Sequence, residues 1–246
     1  MVLTDDNVDI LNDYLVGYGI ELSDEQLRML LKHIDLVVDK NKVMNLTRIT
    51  DPRDAIIRHI VDSLLLLPSI REHVNVESAR FVDIGTGAGF PGIPLAVTTG
   101  MTGTLIDSVG KKSTAVNEFI AELGLGERFE AQPVRAEDLA RKNSEAYDLV
   151  VARAVAEIAV LVEYASPLLK KNGFMIISKA NVIDDEVDLG TKTGEIVGLS
   201  LVSRETFELP DDSGHREILT YQKTGKSKIK LPRKNGDAKH KPLVQD

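Results

Sequence analysis

The sequence predicts an α/β fold: a mostly parallel, doubly wound sheet of seven strands, preceded by a helical extension. Three observations carry that prediction. From residue 80 onward, short apolar runs alternate with helix-length segments, the pattern of strands buried on both faces by the helices between them. A glycine-rich stretch, "GTGAGFPG" at 85–92, follows the first of those runs, where the first strand-to-helix turn of an open parallel sheet passes close to its ligand. The last two apolar runs, "LSLVSRETFELP" and "HREILTYQK", are separated only by the polar loop "DDSG", so they form an antiparallel hairpin that closes the sheet.

Each element follows from its local chemistry. Residues 4–70 read as helices: "TDDNVDILNDYLVGYG" brings Val8, Leu11, Leu15 and Tyr18 to one face, and the segment from Ser23 repeats apolar residues at three and four positions behind a serine cap. A third helix starts where Asp51 can cap and Pro52 loses nothing by lacking an N–H, and Pro68 is expected to end it. Strands are predicted at 80–84, 103–108, 129–134, 148–154 and 173–179, with helices at 91–99, 110–125 and 154–171 and a short turn near 136–140. The organisation that follows is a helical extension over 1–75 packed on the core, a core over 76–223 and a basic tail over 224–246.

Composition excludes several kinds of function. The chain of 246 residues has no cysteine, which rules out disulfides, thiolate metal sites and thiol nucleophiles, and no metal site is expected. The acidic opening "MVLTDDNVDI" carries no targeting signal and "LLLL" at 64–67 is far short of a membrane span, so a cytoplasmic protein without a membrane partner is expected. Charge is unevenly spread: residues 223–246 hold eight Lys or Arg against two Asp, a +6 segment on a chain whose total is −8. An acidic body does not attract a polyanion, whereas a mobile basic arm does.

The glycine stretch admits two registers. Gly87-x-Gly89-x-x-Gly92 fits a dinucleotide fingerprint, with Asp107 placed 20 residues on for the ribose. Asp83-x-Gly85-x-Gly87-x-Gly89 instead fits a site for S-adenosylmethionine. Asp83 lies within the apolar strand, where a carboxylate needs a cationic ligand or the loop's own N–H groups as partner, and would repel a pyrophosphate. Pro91 and Pro94 remove donors that a pyrophosphate would use at the helix start. "RAEDL" at 135–139 places Glu137, or backbone beside it, near an adenine edge, and Arg153 stands at the carboxyl end of the fourth strand, the ligand side of such a sheet. These features favour the adenosyl register, with Asp107 as ribose ligand.

With these residues named, the chain resembles the bacterial 16S rRNA guanine-N7 methyltransferases, the RsmG (GidB) family. The motifs in order are "NLTRITDPRDAIIRHIVDSL", "FVDIGTGAGFPGIPLA", "LIDSVGKKS", "RAEDLA", "YDLVVARAVA" and "MIISKA". The resemblance implies a Rossmann-like class I S-adenosylmethionine-dependent methyltransferase fold. It implies cofactor contacts by Gly85, Phe90, Ala136, Glu137 and Arg153, beside Asp83, Gly87 and Asp107. It implies 16S ribosomal RNA as partner, within the small subunit or an assembly intermediate, and a target guanine in the 530 loop (position 527 in standard rRNA numbering). The family's "RHxxDS" element falls on Arg58, His59, Asp62 and Ser63, and the tail "LPRKNGDAKHKPL" matches its basic ending, with Asp237-Ala238 in place of Thr-Pro. Arg58, His59, Arg233 and Lys234 are therefore the candidate RNA ligands.

The chemistry so implied needs no general base, because guanine N7 offers an in-plane lone pair and no proton; no catalytic residue in that sense is expected, only alignment. On the third helix, Arg58 and Asp62 lie four apart, as do His59 and Ser63, which would set two polar pairs on one edge. That edge reads equally as a buried cluster joining the extension to the sheet or as a contact with cofactor or RNA. A monomer is expected. Two other functions compete: a nicotinamide-dependent oxidoreductase, and a non-catalytic RNA- or ribosome-binding factor on a methyltransferase-like fold.

Overall fold

A computed structural model describes residues 2–153 and 155–244. Ala154, shared by a predicted strand and a predicted helix, lies outside the described residues. The chain opens with α1 (Asp5–Val16) and α2 (Asp24–Asn41). Ser23 and Gln26 form a reciprocal capping box at the start of α2, which satisfies two otherwise free donors. After a loop, α3 (Pro52–Ala55) starts under an Asp51 cap, runs into a π-helical segment (Ile56–Val61) and continues as α4 (Asp62–Leu64). Pro68 does not end this run. It occupies the first turn of α5 (Leu67–His73), where a missing N–H is tolerated.

The core alternates β1 (Arg80–Ile84), α6 (Gly92–Thr98), β2 (Thr102–Ile106), α7 (Gly110–Glu122), β3 (Phe129–Gln132), α8 (Ala136–Lys142), β4 (Tyr147–Arg153), α9 (Ile158–Ala165) and β5 (Leu169–Lys179). Then follow α10 (Asp184–Val197), β6 (Leu199–Glu208), β7 (His215–Lys223) and a one-turn helix, α11 (Asp237–His240). The seven strands lie in the order β3-β2-β1-β4-β5-β7-β6, all parallel except β7, which pairs antiparallel with both β5 and β6.

This is the doubly wound, mostly parallel sheet that the alternating pattern predicted and the Rossmann-like arrangement that the family resemblance implied, with the closing hairpin where the short "DDSG" loop put it. The sequence reading missed α10, a helix of only modest amphipathicity with Gly190 and Gly194 inside it. Both glycines are required by close packing, since a Cβ on Gly190 would lie 2.4 Å from Ile158 and one on Gly194 2.4 Å from the Leu199 carbonyl.

Strand residues alternate between two apolar layers. Phe81, Leu149, Val151 and Ile176 face the N-terminal helices, α6 and α7. Val82, Val150, Met175 and Ile177 face α8, α9 and α10. This alternation is what a sheet covered on both sides requires. The N-terminal helices thus form part of one covering layer, and they bring the π-helical segment to the carboxyl ends of β1, β4 and β5.

Candidate cofactor and acceptor site

At the carboxyl end of β1 the chain turns through Gly85, Gly87 and Gly89, all at positive φ (+75°, +61° and +95°). L side chains are disfavoured there. At Gly85 space is also lacking, because a Cβ would lie 2.6 Å from Val155 Cγ2. Two pockets meet at this glycine, one of about 350 Å³ toward the π-helical segment and one of about 410 Å³ over the ends of β2 and β3.

Asp83 is fully buried beneath the loop. Its Oδ2 accepts the Gly92 N–H at 2.9 Å, and its Oδ1 has no protein partner. Burial pushes its pKa up to about 7, against the pull of the neighbouring Thr86 hydroxyl, the Gly92 N–H and the Arg153 charge. The free acid ionises near 3.8, so between that pH and about 7 the folded state holds a proton that the unfolded state has lost. Asp83 therefore contributes less to stability as pH rises through that interval. In urea unfolding, the stability of Asp83→Asn relative to the parent is expected to improve by about 1.4 kcal/mol per pH unit across it. A difference that is the same at pH 5 and pH 8 would mean that the carboxyl is ionised throughout.

The Gly92 contact also bears on the dinucleotide register. At the start of α6 the Gly92 N–H is taken by Asp83, the Ile93 N–H by the Gly89 carbonyl and the Leu95 N–H by the Pro91 carbonyl, and Pro94 has none. No backbone donor of that first turn is left for a pyrophosphate.

Phe90 is clamped in the first pocket between two histidine rings, with centroids 4.4 Å from His33 and 4.5 Å from His59. The His59 ring is nearly parallel to it, and the Arg153 guanidinium lies 5.6 Å from its centroid. Burial depresses both histidines to about 3, with Arg153 adding to the effect on His59, so both rings are neutral near neutral pH. His33 Nε2 is 3.0 Å from the Ala88 carbonyl, and His59 Nε2 is 3.1 Å from the Thr47 hydroxyl.

Deeper in this pocket the Asp62 carboxylate lies between two arginines. Arg153 donates to Oδ2 at 2.8 Å and Arg216 to Oδ1 at 2.9 Å, and the Ser178 hydroxyl approaches Oδ1 at 3.4 Å. Arg153 also donates to the Arg58 carbonyl at 2.6 Å. The predicted pairing of Arg58 with Asp62 does not occur. The π-helical segment puts an extra residue into the turn, which rotates the following positions away from α-helical phase. Arg58 points outward, 3.8 Å from Asp54, and Ser63 donates to the His59 carbonyl rather than to its ring.

In the second pocket Asp107 Oδ1 accepts the Val109 N–H at 2.8 Å and Oδ2 the Gly87 N–H at 3.3 Å, which ties the end of β2 to the glycine loop. A carboxylate has lone pairs beyond those two contacts for a ligand's hydroxyls. Ala136 and Glu137 open α8 on the opposite wall, both buried, beside Tyr164, whose hydroxyl is pushed up to about 12 by burial and by the Glu137 and Glu163 carboxylates. Residues 26–212 match the family described as rRNA small subunit methyltransferase G (GidB).

The chain belongs to the rRNA small subunit methyltransferase G family. A family member from Desulfitobacterium hafniense (strain Y51) is 39% identical over 229 residues, covering 92% of this chain and 93% of the relative. Another from Alkaliphilus oremlandii (strain OhILAs) is 36% identical over 238 residues, covering 96% and 98%. In fold, the chain matches the solved structure of geranyl diphosphate methyltransferase in complex with SAM, with a TM-score of 0.51 at 8% identity over 65% of this chain and 85% of that one. As a member of the rRNA small subunit methyltransferase G family, the chain is an rRNA methyltransferase on a Rossmann-like methyltransferase fold. No helix among its described residues is long and apolar enough to cross a membrane.

Of the residues singled out in the sequence, Arg58, His59, Gly85, Gly87, Phe90 and Arg153 line the first pocket, and Asp107, Ala136 and Glu137 line the second with Gly85 again. Asp83 braces the loop from below. The tail differs from the sequence expectation, because it is not a free arm. Arg233 forms a bidentate ion pair with the buried Glu163, at 2.8 and 2.6 Å, and is not displayed to a polyanion. Lys234 alone of the two tail candidates remains exposed. Sequence reasoning overlooked Arg216 and Glu163. Nothing in the mixed strand "HREILTYQK" marked Arg216; for Glu163 the available signal was that it is the one charged residue of the apolar helix "IAVLVEYA", although its partner lies 70 residues away.

Proposed function

We propose that this chain transfers the methyl group of S-adenosylmethionine to N7 of a guanine of 16S ribosomal RNA, in the 530 loop, within the small subunit or an assembly intermediate. The observation that carries the reading is the meeting of two unlike pockets at Gly85, one with carboxylates beyond the ends of β2 and β3, the other lined by three arginines and a single acid, Asp62, which two of them hold. The residues fit an adenosyl cofactor: Asp107 and Glu137 can accept from ribose and adenine, and the crowding at Gly85 leaves bare backbone at the junction. The unpartnered Oδ1 of Asp83 adds a carboxylate that a cationic ligand would favour in its ionised form. When bound, the cofactor supplies an electrophilic methyl group on a sulfonium.

The acceptor pocket supports a base that needs holding rather than deprotonating. Guanine N7 already carries its lone pair, and the neutral, stacked His59 contributes shape. Arg58, the one arginine of this pocket not tied to Asp62, provides positive charge for the flanking RNA backbone.

Two experiments test the reading. Incubation with methyl-labelled S-adenosylmethionine and small subunits lacking the modification is expected to place label on N7 of that guanine; label on other bases or on protein alone would overturn it. Arg58→Ala removes a largely exposed guanidinium held only by a long contact to Asp54. It is expected to lower the log–log salt slope of single-stranded RNA binding by about 0.7 and leave the melting temperature unchanged. An unchanged slope would remove Arg58 from the RNA contact.

A further inference from the structure

The one basic segment expected to reach outward is folded back against the cofactor side of the sheet, and its contacts are specific. Gly236 donates its N–H to Glu137 Oε1 at 2.9 Å, so the tail touches a residue of the proposed adenosyl pocket directly. Asn235 donates to Asp138 at 2.8 Å, and Arg141 reaches back to Asn235 Oδ1 at 2.7 Å and the Arg233 carbonyl at 2.8 Å. Arg233 spans the base of the turn: beside its two bonds to Glu163, it donates to the Lys241 carbonyl at 2.9 Å. Ala238 is buried in the apolar layer over α8 and α9. Lys239 and His240 then form the outer rim of the same pocket that holds Asp107 and Glu137.

We propose that residues 233–241 are the outer wall of the cofactor pocket, with the Arg233–Glu163 ion pair as the latch that holds the wall in place. The inference rests on the adenosyl reading of that pocket. Buried at its Glu163 end and bidentate, the latch is of the strong kind. Its release would free Gly236 from Glu137 and open the pocket to solvent. Arg233, which the sequence offered as an RNA ligand, is on this view a positioning residue for the cofactor.

The test is calorimetric titration of the full-length protein with S-adenosylmethionine and with S-adenosylhomocysteine, which share the adenosyl group. Arg233→Ala is expected to weaken both about tenfold, and the rim variant Lys239→Ala/His240→Ala, which leaves the latch intact, to weaken both about threefold. In the unaltered protein, saturating S-adenosylmethionine is expected to slow tryptic cleavage after the exposed Lys234 and Lys239, a readout that depends on no variant. Unaltered protein that binds both ligands while gaining no protection, or with the rim variant binding as tightly as the parent, overturns the wall and leaves the cofactor reading standing. Protein that binds neither ligand overturns the cofactor reading and the wall together.

Discussion

Asp62→Ala is expected to destabilise the fold by about 3–5 kcal/mol, the range for removing one member of a buried ion pair. Asp62 is 3% exposed, and the side chains of Arg153 and Arg216 are 13% and 15% exposed. Without the carboxylate, two guanidinium groups would face each other in a partly dry pocket with no counter-charge. Three separate elements would lose their common anchor, because Asp62 belongs to α4, Arg153 ends β4 and Arg216 lies near the start of β7. Asp62→Asn keeps the shape and one acceptor oxygen, but it loses the charge and turns an NH2 donor toward the other guanidinium, and should fall between the parent and the alanine variant. Chemical unfolding measures both. A loss within about 1 kcal/mol for the alanine variant, the size of an exposed pair, would mean that water screens the cluster.

Gly85→Ala is the second variant with a large expected effect. Its added methyl would lie 2.6 Å from one Val155 methyl and 3.0 Å from the other, at a φ of +75°. The left-handed conformation alone costs about 1–2 kcal/mol for an L residue, and the β-branched Val155 has little freedom to turn away. The loop must shift, and it is the loop on which both pockets converge. Displacement of about 1 Å at such a junction can cost about a hundredfold in rate. Methyl transfer to small subunits is therefore expected to fall by about two orders of magnitude, with weaker S-adenosylmethionine binding and a smaller change in global stability. A variant that retains parental transfer would show that the loop relaxes at no cost.

What the sequence made legible and what it hid follow from the range of the interactions involved. The central strands and their order of succession were readable because they bury both faces and so spell short apolar runs, as "RFVDI" and "GFMIISK" do. The placement of Asp83, Asp107 and Arg153 at or beside the carboxyl ends of β1, β2 and β4, and of Glu137 in the first turn after β3, was readable because each follows from where an apolar run stops. The π-helical segment was not, because its apolar residues fit α-helical spacing, and the displaced phase shows only in where Arg58 and Asp62 point. Arg216 was hidden by distance: it meets Asp62 across 154 residues. The tail was misread for a related reason. Its composition is that of a solvated basic arm, and the two acids that hold it down, Glu137 and Glu163, lie 99 residues before Gly236 and 70 before Arg233.

The position of β7 between β5 and β6 has a consequence for the order in which the molecule can be assembled. Among the described strands β6 pairs only with β7, and β5 is bounded on that side only by β7. As the chain emerges from the ribosome, β6 is made before there is anything for it to pair with, and β5 remains an open edge until His215–Lys223 arrives. Arg216 comes in with that same strand, and the segment that closes against Glu137 comes later still. The complete sheet, the ion-paired Asp62 cluster and the cover over Glu137 therefore all wait on residues 215–241, and none of the three can form until that stretch has been made.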